Sequence, residues 1–93
     1  PPPPPPPRPD RAAERRRQKE LARVEALESE IAGLELEISS FEESFADPSI
    51  ARDGNRIRTL RSKIESRKNR LSEKMSDWEE LLRKLGKEEP AVR

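Results

Sequence analysis

Val24, Leu27, Ile31, Leu34, Ile38, Phe41 and Phe45 recur at alternating spacings of three and four. That is the a/d stripe of a coiled coil, sustained for three heptads with no polar residue interrupting it. A stripe this narrow has nothing to bury against in an isolated helix, so it demands a partner helix. The same chain supplies one. Beyond Asp47-Pro48 a second stripe runs through Ile57, Leu60, Ile64, Leu71, Trp78, Leu81 and Leu85, with Arg67 and Lys74 at the remaining seam positions. The fold expected is all-α: a two-helix antiparallel coiled-coil hairpin, preceded by a polyproline linker.

Boundaries follow from local chemistry. Pro1 to Pro7 have no N–H to donate beyond the amino terminus and read as an extended polyproline II segment, so residues 1–10 are assigned as a proline-rich linker. It reads as a stiff spacer, or as a ligand of the kind that SH3 and WW domains bind. Asp10 can cap a helix that begins at Arg11, with Glu14 in its first turn. Helix one is expected over about 11–45, a loop over about 46–55 and helix two over about 56–85, within a hairpin domain spanning 11–87. Pro48 disfavours helix at Asp47, and Asp53-Gly54-Asn55 adds turn chemistry. A connection this short makes the helices antiparallel neighbours. Gly86, followed by Pro90, reads as a helix C-cap, with 88–93 as a tail. Arg17 and Glu20 fall on core positions of the extended heptad, so the seam weakens before Leu21.

Charge supports the pairing. Residues 8–19 carry six basic and two acidic groups, 20–45 carry one and eight, and 52–74 carry nine and three. The net charge of +1 conceals this segregation. Antiparallel coils set e against e and g against g. On one flank this matches Glu42 with Arg61, Glu35 with Lys68 and Leu21 with Leu82. On the other it matches Glu37 with Lys63, Glu30 with Arg70 and Arg23 with Asp77. Arg67 and Lys74 are expected to lay their stems over the apolar edge with their charges in water. Trp78 is expected to plug the open end of the hairpin near Val24 and Leu27, in preference to stacking on a base.

The composition excludes much chemistry. There is no His, Cys or Tyr, which removes disulfides, thiol catalysis and the usual zinc sites. No glycine-rich phosphate loop occurs, and a two-helix hairpin offers surfaces in place of clefts, so no catalytic residue, cofactor site or metal site is assigned. No apolar run approaches the roughly 20 residues of a membrane span, and the expected setting is cytoplasmic. Recognition is left. The candidates for sequence-independent contact with phosphates are Arg15, Arg16, Arg17 and Lys19 before the seam, and Arg52, Arg56 and Arg58 at the hairpin tip. The competing reading of these residues is solvated helix surface.

Ala46-Asp47-Pro48 at the turn and Trp78-Glu79-Glu80-Leu81 near the end of helix two carry a resemblance. Over residues 11–87 the chain resembles the C-terminal coiled-coil domain of ABC-F ATPases, proteins with tandem ATP-binding cassettes and no membrane domain. Two features depart from that pattern. Ile50 and Ala51 stand where an aromatic residue is common, and Arg15-Arg16-Arg17-Gln18-Lys19 replaces a Ser/Thr-Tyr-Lys opening motif. The resemblance implies a non-catalytic arm of a parent ATPase whose cassettes use ATP and Mg. It also implies action on the ribosome or DNA, with the coil contributing contacts to DNA or ribosomal RNA, and the parent's own cassettes as neighbours. Rival readings are a structural spacer or protein-docking arm, and an arm like those of valyl-tRNA synthetases or peptide-chain release factors. A further rival is self-association into a four-helix bundle through the exposed Leu82 and Met75. A monomeric hairpin is favoured over that last one.

Overall fold

The computed structural model describes residues 1–5 and 10–88, and the side chains of those residues except Glu88. The elements are α1 (Arg11–Ser44), α2 (Pro48–Ala51) and α3 (Gly54–Glu88). The whole forms a rod of 87 × 20 × 17 Å. Helices of 34 and 35 residues are each about 50 Å long, and α3 folds back along α1. Among the described residues there is no strand. Pro1 to Pro5 are exposed and belong to no helix. The rest of the linker, Pro6 to Pro9, and the tail beyond Glu88 lie outside the described residues.

Each helix begins on an aspartate. Asp10 is extended and its Oδ1 accepts from the Ala13 N–H at 3.0 Å, capping α1. Asp47, held out of the helical region by the following proline, caps α2 by accepting from the Ser49 N–H at 2.9 Å and the Ser49 hydroxyl at 2.8 Å. Asp53 Oδ1 accepts from the N–H groups of Asn55 and Arg56, at 3.0 and 3.2 Å, where α3 starts. Short carboxylate side chains are what orphan amides at a helix start require.

The connection expected as loop over 46–55 is therefore part helix. Pro48 stands at the first helical position of α2, where its missing N–H is not needed and its fixed φ suits a helix. Helix two begins at Gly54, two residues early, because Asp53 caps it there. Nor does Gly86 end it. The helix runs through Gly86 to Glu88, and among the described residues no glycine has positive φ. Leu85 is buried, so seam packing carries the last turns past the glycine.

The core is the pair of stripes. Val24, Leu27, Leu34, Ile38, Ile64 and Leu85 are buried, Leu27 most deeply at 1% exposure. Ile31, Phe41, Phe45, Ile57, Leu60, Leu71, Trp78 and Leu81 are half-buried. Leu36, off the seam, is 72% exposed, as a c/f-type position requires. Arg17 and Glu20 are also half-buried, and Glu20 reaches the Lys84 ammonium at 2.9 Å. A polar layer thus extends the seam below Leu21, in the segment expected to be the more exposed.

On one flank the ion-pair partners differ by one helical turn of α3 from those matched in the sequence. Glu37 meets Arg67 at 2.6 Å, and Glu30 meets Lys74 at 3.1 Å. The expected partners were Lys63 and Arg70, each four residues earlier in α3. The seam cations are the reason. Arg67 and Lys74 lie half-buried in the interface, and they draw the carboxylates of α1 across. Their side chains keep 27% and 29% exposure, and their charges meet carboxylates that are themselves half-exposed at the rim of the seam. Arg23 turns to Glu30 of its own helix at 3.9 Å, in place of Asp77. Lys63 sits over the Phe41 ring, 6.0 Å from its centre. Among the described residues, Glu42 with Arg61, and Glu35 with Lys68, form no ion pair.

Candidate nucleic-acid contact surfaces

The basic candidates fall at the two ends of the rod. At the base, Arg15, Arg16 and Lys19 are exposed on the opening turns of α1. Arg11, Arg15 and Lys19 follow at i, i+4 spacing and share one side of the helix. Among the described residues Arg15, Arg16 and Lys19 have no ion-pair partner. Arg17 differs. It is half-buried and engaged in an interaction of its own, so it belongs to the packed face.

At the tip, Arg52 closes α2 and is exposed. Arg56 and Arg58, also exposed, have local partners. The Arg56 Nε lies 3.5 Å from Asp53 Oδ2, and the Arg58 guanidinium donates to Asn55 Oδ1. These contacts orient the guanidiniums without burying them. Beside them an open groove of about 480 Å³ is floored by Phe41, Ile50 and Leu60 and bordered by Arg56 and Lys63. Asp47 stands within the field of this end. Its carboxyl is held below the usual Asp value first by the Ser49 amide N–H, then by the Ser49 hydroxyl, with Arg56 adding a smaller effect.

The two clusters cannot form one patch. About 30 residues of helix separate them, on the order of 40 Å, and the seam between keeps the rod straight. Each end would meet a different part of any extended polyanion. Asp53 and Asn55, which hold Arg56 and Arg58, were missed as site-forming residues, as was the Asp47 cap beside them. The signal was present in Asp-Pro-Ser and Asp-Gly-Asn, which are cap sequences as well as turn sequences.

Trp78 is half-buried, and its indole Nε1 is buried with no hydrogen-bond partner among the described residues. It shares a side groove with Glu28, Ile31, Ala32, Glu35 and Met75. The ion pairs Glu30–Lys74 and Glu20–Lys84 bracket Trp78 at the level of Val24 and Leu27, where the sequence places it, and its ring also borders the groove beside Ile31. Among the described residues no group of His, Cys, Asp or Glu could hold a metal ion. Among them, too, no helix is long and apolar enough to cross a membrane.

Residues 14–82 match the family described as ABC transporter C-terminal domain. The chain belongs to that family. It is accordingly an accessory domain of an ABC-type protein, and the match covers the hairpin from the first turns of α1 to beyond Trp78. No curated protein and no solved structure matches it.

Proposed function

We propose that this ABC transporter C-terminal domain is the non-catalytic arm of an ABC-F type ATPase in the cytoplasm. In this reading it touches nucleic acid, duplex DNA or ribosomal RNA, through phosphates and without sequence preference. The parent's cassettes would supply the ATP and Mg chemistry, and the arm would supply reach. The observation that carries the reading is the exposure of Arg15, Arg16 and Lys19 without carboxylate partners among the described residues. Cations kept from neutralisation on a helix that also bears eight acidic groups between residues 20 and 45 are suited to an external anion. Arg52, Arg56 and Arg58 offer a second contact at the far end, oriented by Asp53 and Asn55.

The test is binding of the 93-residue chain to a labelled DNA duplex and to ribosomal particles over a salt series. Phosphate contacts make affinity fall linearly in log–log form, with a slope near 0.9 per phosphate on duplex DNA. Replacing Arg15, Arg16 and Lys19 by Glu should reduce both the affinity and the slope. Absence of binding at low salt, or indifference to that triple substitution, overturns the reading. A protein-docking role is the second reading, and the apolar side groove beside Trp78 favours it.

A further inference from the structure

The hairpin has one closed side and one open side. The ion pairs that link the helices along the middle of the seam, Glu37 with Arg67 and Glu30 with Lys74, both use g-position carboxylates of α1. The opposite, e-position flank has no such link among the described residues. It instead exposes Leu21, Met75 and Leu82, at 45%, 39% and 39%. Beside Met75 runs a groove formed by Ile31, Ala32, Met75 and Trp78 with the carboxylates of Glu28 and Glu35. Towards the tip the same flank carries Glu35 and Glu42 on α1 and Arg61 and Lys68 on α3, all exposed.

We propose that this flank is a self-association surface, and that its occupant is a second copy of the hairpin lying parallel to the first. The register fixed by Glu37–Arg67 and Glu30–Lys74 sets the e residues of the two helices level within one residue. Leu21 is then level with Leu82, Glu28 with Met75, Glu35 with Lys68 and Glu42 with Arg61. A two-fold axis parallel to the rod sets α1 of one copy against α3 of the other at the same height. Glu35 and Glu42 then face the second copy's Lys68 and Arg61. Leu21 faces the second copy's Leu82, and the second copy's Met75 enters the groove between Glu28 and Glu35.

Turning the copy end for end is disfavoured, because α1 would face α1 and bring carboxylates together. The size is adequate. A face 20 Å wide along about 37 Å of helix gives roughly 700 Å² a side, close to the ~800 Å² per partner of a standard stable interface. The product is a four-helix bundle whose two outer edges are the g-side ion pairs.

Sedimentation of the 93-residue chain over a concentration series tests this, with two charge-altered variants. One is Arg61→Glu with Lys68→Glu; the other is Glu35→Lys with Glu42→Lys. The wild type should pass from monomer to dimer as concentration rises. Each variant alone should associate at least tenfold more weakly, since both of its flank helices then carry one sign. An equimolar mixture of the two should restore a heterodimer. That rescue separates contact between copies from contact within one hairpin, which mixing cannot repair. Leu82→Lys, with helix content followed by circular dichroism, should give a folded monomer. A wild type that stays monomeric to roughly 1 mM overturns the proposal. So does a mixture that fails to associate, or a Leu82→Lys variant that dimerises as the wild type does.

Discussion

The two flanks of the hairpin have the same heptad positions and opposite fates. On the g side, α3 places Arg67 and Lys74 in the seam itself, and α1 answers with Glu37 and Glu30. On the e side the cations of α3, Arg61 and Lys68, stand outside the seam, and apolar side chains occupy Leu21, Met75 and Leu82. A long cation at a core position has its charge already beside the partner helix, so it captures a carboxylate at little further loss of freedom. A cation at a flanking position must give up water and side-chain entropy for a weaker contact. The polar residues of the seam, more than those of the flanks, decide which side of a coil is closed by charge.

The largest perturbation should be blind to the difference. Leu27 lies under both flanks and is the most buried side chain. Leu27→Ala should cost about 2–5 kcal/mol, a large share of what so slender a core provides. Thermal unfolding followed by circular dichroism should show one cooperative transition at a much lower midpoint. A loss below about 1 kcal/mol would mean that the stripes are not the main source of stability, and the comparison of flanks would lose its frame.

A smaller effect should separate them. A double-mutant cycle on Glu37 and Arg67, each changed to Gln, should give a coupling of about 0.5–1 kcal/mol, the upper part of the range for partly exposed pairs. Half of the Glu37 side chain is exposed, which argues against more. The matching cycle on Glu35 and Lys68, measured where the chain is monomeric, should give about zero, within the ~0.3 kcal/mol error of additivity. Added salt should shrink the first coupling and leave the second unchanged. Equal couplings on the two flanks would erase the asymmetry on which the open face rests.

Sequence reading reached the seam because burial depends only on periodicity. Every residue of both stripes is covered, and the two helices pair as the stripes require. It did not reach the ion pairs. Matching g with g treats side chains as points at their own positions, whereas Arg67 and Lys74 act from the core with long stems. It lost α2 by reading Asp47-Pro48 only as an interruption, although a cap followed by proline at the first helical position is a helix start. It took Gly86 as an ending, although a glycine stops a helix only where tertiary contact does not carry the chain onward. Of the candidate contact residues, Arg15, Arg16, Lys19 and Arg52 are as exposed as expected. Arg17 is drawn into the interface by its heptad position, and Arg56 and Arg58 are engaged by the turn residues beside them. Exposure follows from helical phase; engagement depends on neighbours that only the folded turn brings near.

The tip, where both flanks end, gives the smallest and most local effect. Asp47 keeps its carboxyl ionised below the usual Asp value because the Ser49 amide and hydroxyl donate to it. A pKa lowered by folding means stability that is present above the ordinary Asp value and lost as pH falls through the lowered one. The relevant window lies below about pH 4. Titrating the Ser49 amide resonance through that window should show the cap opening, and Asp47→Asn should remove this titration while still offering an oxygen to the amide. Amides of α1 beside Glu37 and beside Glu35 should not follow the Asp47 step, because α2 is joined to the rod only at its tip. If the Glu37 side moves with Asp47 and the Glu35 side does not, the tip sets the register of the closed flank, and the seam cations are not its sole cause.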